Sequence, residues 1–193
     1  NTLIYGCKNT VIPNTVTKIG EEAFAYCVAL TSIEIPNSVT DIKSGAFSGC
    51  SGLTSVVIPS SVSNLGGYVF YGCESLTSMV IPNSVKSIGA YTLYGCRGLK
   101  NVVVGESVAS VGNAAFKECT GLTRLEMLTK VPPKCGKDVF VGVDKTACEL
   151  VVPEGCVDAY KTAAEWGDFS KITPGESSVG EVGTPGVTVT AGD

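Results

Sequence analysis

The sequence predicts a solenoid: a stack of 23-residue coils with short parallel β-strands on one face and short helical or 3₁₀ segments on the other. Three residue columns predict it. Cys27, Cys50, Cys73, Cys96 and Cys119 follow one another at 23-residue steps, and so do Leu30, Leu53, Leu76, Leu99 and Leu122. Pro13, Pro36, Pro59 and Pro82 keep the same step. A fixed period in this range belongs to repeats that cannot bury an apolar face alone and must stack on their neighbours.

Residues 1–10 read as a partial first coil, because Leu3-Ile4-Tyr5-Gly6-Cys7 already carries the repeat-like pattern. The chain therefore reads as a mature or trimmed product whose signal peptide has been removed, and the lack of a visible leader does not argue for the cytoplasm.

Five 23-residue coils fill residues 11–127. The coil from Leu30 to Leu53 shows the logic. Ile33-Glu34-Ile35 alternates apolar, polar, apolar, a strand with its isoleucines inward. Pro36-Asn37-Ser38 turns the chain, and the proline ends the strand because it has no N–H to donate. Val39 and Ile42 form a second inward segment. Ala46, Phe47, Cys50 and Leu53 then fall at i, i+1, i+4 and i+7, one face of a short helix. The same columns recur: Val16, Val39, Val62, Val85 and Val108; Phe24, Phe47, Phe70, Leu93 and Phe116. Departures are local. Lys43 stands where Gly20, Gly66, Gly89 and Gly112 stand in other coils, and Gly105 replaces the proline.

After Met127 the period slips at Pro132-Pro133 and an insertion. Residues 128–172 read as an atypical capping repeat. Leu150-Val151-Val152-Pro153 restores the strand-plus-proline pattern, and Val157, Tyr160 and Ala164 mark one face of a helix over about residues 157–165. Trp166, Phe169 and Ile172 lie behind it. A solenoid must cover its last coil, so Trp166 reads as a residue that packs the cap. Residues 173–193 turn to Gly, Pro, Ser, Thr and acid, a linker or tail. Within it the Val187-Thr188-Val189-Thr190 alternation suggests the start of a strand.

Composition narrows the function. Hydrophobic residues make up 44% of the 193 and charged residues 17%, as expected when most columns point inward. The net charge is −4, with no long runs of one sign and only two arginines, Arg97 and Arg124. This is not the clustered basic footprint of a nucleic-acid binder. No stretch approaches the ~18–20 consecutive apolar residues of a membrane span. The nine cysteines raise the question of disulfides. In-register side chains on stacked coils run parallel, and each interior cysteine has two equivalent neighbours, so the ladder reads as free buried thiol. Cys135, Cys148 and Cys156, off the ladder, are the better disulfide candidates.

The repeat Ile-x-Ile-Pro-x-Ser-Val-x-x-Ile-Gly-x-x-Ala-Phe-x-x-Cys-x-x-Leu, almost whole from Ile33 to Leu53 and again from Met79 to Leu99, resembles the BspA-like class of leucine-rich repeats. The run from Leu150 to Lys161 and the ending Trp166-Gly-Asp-Phe-Ser-Lys-Ile172 resemble a terminal segment common in such proteins of Bacteroides-type bacteria. The resemblance spans about residues 3–172. It implies a curved, right-handed leucine-rich-repeat solenoid, exported to the bacterial surface and used for adhesion or ligand binding. It brings no catalytic residues, and Cys156 stands where relatives carry a small polar residue.

The residue inventory argues against an enzyme. There is no histidine, so the commonest general base and metal ligand is missing. No CxxC pair or calcium loop appears, and no cofactor is expected. Gly175 to Gly180 is followed by Glu181-Val182 and so lacks the Lys and Ser/Thr that complete a phosphate-binding loop. Glu21 and Glu22 are adjacent, and adjacent residues on a helix do not face each other.

Two surface constellations remain as candidates. Tyr68 and Tyr71 project outward from one coil, and Tyr91 and Tyr94 occupy the same columns in the next. Their equivalents elsewhere are small or charged: Glu22 and Ala25, Gly45 and Ser48, Ala114 and Lys117. Tyrosine is enriched at binding hot spots and stacks on sugars and proteins; the alternative is that these rings merely shield a backbone. The second constellation is an outward strand column, Val57, Val80 and Val103, with Glu34 and Glu126 at its ends. Exposed apolar strips mark interaction sites, although valine also favours strands for its own sake. The expectation is a non-enzymatic module, on the cell surface or extracellular, that binds a host or bacterial surface protein through its solenoid face. The alternatives are a carbohydrate-binding accessory module and a structural spacer for another domain.

Overall fold

A computed structural model describes residues 1–175; the remainder of the expected tail, with Val187–Thr190, lies outside the described residues. The chain winds into about seven turns held together by parallel pairing between successive coils. Each of the five coils between Ser32 and Cys135 contributes two strands, not one. The first is the segment with alternating pattern: Ser32–Glu34 pairs with Ser55–Val57 at a 23-residue offset, Ser32 facing Ser55. A five-stranded sheet continues this side, from Ser78–Ile81 through Asn101–Val104, Arg124–Met127 and Glu149–Val152 to Lys171–Pro174. The second strand is the Val39/Ile42 segment, only two residues long. Thr2–Leu3, Lys18–Ile19, Asp41–Ile42 and Asn64–Leu65 form one ladder of it, and Ser87–Ile88, Ser110–Val111 and Lys134–Cys135 form another.

The third side departs from expectation. The segment containing Ala46, Phe47 and Cys50 is a run of turns and not a helix or 3₁₀ segment. Its backbone is left-handed at two positions per coil, Gly45 (φ 66°) and Gly49 (φ 71°), which a right-handed helix excludes. Alternate N–H groups point to the next coil, while those of Ala46, Ser48 and Cys50 close single turns on the carbonyls of Lys43, Gly45 and Phe47. Gly45, Phe47 and Gly49 donate to the carbonyls of Gly67, Val69 and Tyr71 at 2.9, 2.9 and 2.6 Å. Tyr68, Phe70 and Gly72 repeat the pattern one coil later. The turns thus form a third intercoil ladder, and the apolar residues remain inward.

Between the three sides runs a continuous core. Phe24 stacks on Phe47 at 5.1 Å and Phe47 on Phe70 at 5.6 Å; after Leu93 the column resumes with Phe116 and Phe140. All nine cysteines are free. In the ladder, the thiols of Cys50, Cys73, Cys96 and Cys119 each donate to a carbonyl of the preceding coil, those of Phe24, Phe47, Phe70 and Leu93, at 3.0–3.3 Å. This explains the residue type: a small apolar side chain with one weak donor.

The insertion is absorbed by register. The offset grows to 24 residues at Ser110↔Lys134 and to 25 at Arg124↔Glu149, then the ladder resumes. The C-terminal helix, Val157–Thr162, is three residues shorter than expected, because Ala163 is extended (ψ 136°). Trp166 is buried with its ring edge-on to Phe140 at 5.1 Å, and its indole N–H donates to the Pro133 carbonyl at 2.8 Å. The Tyr160 hydroxyl donates to the Thr129 carbonyl at 3.0 Å. The last strand runs two residues into the expected linker: Thr173 and Pro174 pair with Val151 and Val152.

Candidate binding surface

The tyrosines sit on the turn ladder, and its backbone decides their geometry. Tyr68 and Tyr91 occupy the left-handed column that Gly45 fills one coil earlier, with φ of 58° and 57°. A side chain there costs about 1–2 kcal/mol of local strain. Tyr71 and Tyr94 are three residues further on, in the column of Ser48. Coil stacking at ~4.8 Å brings equal positions together, so the rings pair along the solenoid axis. Tyr68 stacks on Tyr91 at 4.7 Å (11° between planes), and Tyr71 on Tyr94 at 4.9 Å (6°). Within each coil the two rings tilt toward each other at 5.9 Å. The result is a two-by-two block, with Tyr68 and Tyr71 exposed and Tyr91 and Tyr94 half-buried.

The block is one wall of an open groove of about 680 Å³. Ser44, Gly45 and Ser48 form its floor, too small to cover the free faces of Tyr68 and Tyr71. Glu22 and Tyr26, from the coil before, form the other wall. Tyr26 is the residue sequence reasoning missed. It lies in the Gly49 column, not a tyrosine column, and its ring leans over Gly49: a Cβ there would meet Tyr26 Cδ1 at 2.5 Å. Glu22 leans likewise over Gly45, its Cγ 3.1 Å from a Cβ at that position. The available sign was the glycine one coil after each.

The valine column is less of a surface than the sequence suggested. Val57 is 60% exposed, but Val80 and Val103, which pair directly, are half-buried. Val57 and Val80 belong to different hydrogen-bonded sheets. At the far end Arg124 binds Glu149 at 2.8 Å and Glu126 at 3.3 Å, so charge closes the strip.

The titratable groups are tuned for structure. The Thr40 hydroxyl (2.7 Å), with Asn64 and Lys43 at 3.1 and 3.2 Å, holds buried Asp41 down at about 2, firmly ionised. Burial pushes the Cys50 thiol up to about 11 and that of Cys119 to about 12, which makes both poor nucleophiles. Cys7 is exposed, and the Thr10 hydroxyl pulls its thiol down. Among the described residues no group of three or more His, Cys, Asp or Glu is placed to hold a metal ion, and no helix is long and apolar enough to cross a membrane.

The coil motif matches the family described as BspA type leucine-rich repeat region, in six copies over residues 4–123. The chain belongs to that family. Among solved structures, the BspA-type coils are similar to a leucine-rich cell surface protein from Faecalibacterium prausnitzii, with 35% identity and a TM-score of 0.57 over 61% of this chain and 31% of that one. They are also similar to the T. pallidum leucine-rich repeat protein, at 29% identity and a TM-score of 0.54, covering 66% of this chain and 70% of that one. The pneumococcal vaccine antigen PcpA shares the fold over 91% of this chain and 44% of its own, with a TM-score of 0.68 at 19% identity. The chain thus spans less than a third of the Faecalibacterium protein's length. A search of curated proteins finds no match.

Proposed function

We propose that this chain is a non-enzymatic recognition module, displayed on the bacterial cell surface or secreted, that binds a protein partner through the tyrosine face of its solenoid. The observation that carries this reading is the block itself. Its four rings stack in two pairs across adjacent coils, and two ring faces stand open above small residues. Exposed, pre-stacked aromatic faces are a reason to look for a ligand there; the left-handed backbone beneath them is common to this column, which Glu22, Gly45, Ala114 and Asp138 occupy in other coils. The rigid ladder beneath holds the rings in place before binding, so little ordering entropy is lost on contact. The same open faces favour a second reading, stacking on a sugar ring.

The test uses residues the fold already accepts. Replacing Tyr68 and Tyr91 by Gly and Tyr71 and Tyr94 by Ser installs at those positions the residue types of Gly45 and Ser48, one coil earlier. The expected result is a folded protein that loses at least about tenfold in affinity for a purified partner, identified by pull-down from host matrix and bacterial surface proteins and measured by calorimetry. Unchanged affinity in this variant refutes the reading. A glycan array separates the second reading.

A further inference from the structure

Resting on that reading of the tyrosine face, we infer that the groove above Gly45 and Ser48 takes a cationic side chain, a lysine or arginine presented by the protein partner. Four observations converge. The free faces of Tyr68 and Tyr71 look into the groove, because their other faces are covered by Tyr91 and Tyr94. An aromatic face is the negative end of the ring quadrupole and attracts a cation within ~6 Å of the centroid. Glu22 leans over Gly45, with Oε1 4.0 Å from the position a Cβ would take there, so its carboxylate stands one coil from the Tyr68 ring. Among the described residues Glu22 makes no ion pair.

The fourth observation concerns what the groove lacks. None of its lining residues is a lysine or arginine. Of the cations on neighbouring positions, Lys43 pairs with Asp41 at 3.2 Å and Lys117 with Asp138 at 3.3 Å, while Lys18, Lys86 and Arg97, on the same coils, do not line the groove. The site therefore presents aromatic faces and one carboxylate, with no cation among its lining residues. An acidic ligand is repelled by it, and an apolar one leaves Glu22 unanswered. A guanidinium or ammonium group answers both, stacking on Tyr68 and Tyr71 while it pairs with Glu22. Tyr26, leaning over Gly49, narrows the groove on the Glu22 side and supplies a third ring to the aliphatic stem.

The experiment titrates the intact chain with capped pentapeptides Gly-Ser-X-Ser-Gly, where X is Arg, Lys, Leu or Glu, and with a neutral disaccharide, cellobiose, following tyrosine ring resonances by NMR. The Arg and Lys peptides are expected to shift Tyr68 and Tyr71 saturably, while the Leu and Glu peptides leave them unmoved. Glu22→Gln is expected to weaken the Arg peptide about threefold, as for an exposed ion pair, and added salt to weaken it in the wild type but much less in the variant. Equal binding of the Leu peptide, binding of cellobiose alone, or an affinity indifferent to Glu22→Gln overturns the cationic assignment and leaves the tyrosine face standing. No shift with any peptide also overturns it. The fate of the tyrosine face itself is read separately, from the Gly/Ser variant and its partner.

Discussion

Replacing Cys96 by alanine tests what the cysteine ladder does. Cys96 is fully buried, and its thiol donates to the Phe70 carbonyl at 3.1 Å. Removing one buried methyl-sized atom costs about 1 kcal/mol in transfer free energy. A residual void of ~20 Å³ adds about 0.5 kcal/mol, and the weak S–H···O bond about 0.5 kcal/mol more. The Phe70 carbonyl is not orphaned, because the Cys73 N–H also donates to it at 3.1 Å. The larger penalty for an unsatisfied buried acceptor is therefore absent. The sum is about 2 kcal/mol, a fall in melting midpoint of roughly 4–8 °C for a chain of this size. Urea denaturation is the assay, with a shift of about 1 M at unchanged slope. Cys96→Ser is the control. It keeps a donor but shortens the side chain and buries a more polar group, so it is expected to be no more stable than Cys96→Ala. If Cys96→Ser stays within about 0.5 kcal/mol of wild type while Cys96→Ala loses the full amount, hydrogen bonding and not packing holds the ladder, and the reasoning fails.

Two further outcomes follow from the titratable groups. In native protein at pH 8, a small alkylating reagent is expected to modify exposed Cys7 first and to leave Cys50, Cys73, Cys96 and Cys119 untouched until denaturant is added. With its thiol near 12, Cys119 is only about 10⁻⁴ thiolate at that pH; mass mapping that finds native Cys119 labelled as fast as Cys7 contradicts the buried ladder. Asp41 titrates at about 2 when folded against 3.8 ordinarily. A depressed carboxylate adds stability that is complete above the unfolded value and is lost as pH falls through the folded one. Acid is therefore expected to weaken the fold between about pH 4 and pH 2 less steeply in Asp41→Asn than in wild type, measured by urea midpoints at several pH values; equal slopes contradict the network.

Much of the fold was legible because a solenoid is nearly one-dimensional. Counting 23 residues forward from Tyr68 finds Tyr91, and the count alone places the two rings side by side. The same count identified the inward columns of Val39, Phe47, Cys50 and Leu53, which are buried except for half-buried Cys27 at the start of the cysteine column. It failed where spacing within one coil was taken for conformation. Ala46, Phe47, Cys50 and Leu53 have helical spacing, but Gly45 and Gly49 mark left-handed backbone, and N–H groups that find an acceptor on the next coil have no need of one four residues back. The strand face misled for a related reason. Val57, Val80 and Val103 share a column, yet their exposure depends on neighbouring coils and on side chains from adjacent columns.

The amino-acid sequence by itself determined the period, the order of the coils, the inward columns and the adjacency of four tyrosines, since each follows from a repeat that must stack to bury its apolar face. Only the tertiary structure decided that the coil closes with a ladder of turns, that Tyr26 and Glu22 lean over Gly49 and Gly45, and that a groove opens before the Tyr68 and Tyr71 rings. The reason is physical. Column membership depends on chain length between residues, whereas the direction of a side chain and the space left beside it depend on what the next coil lacks.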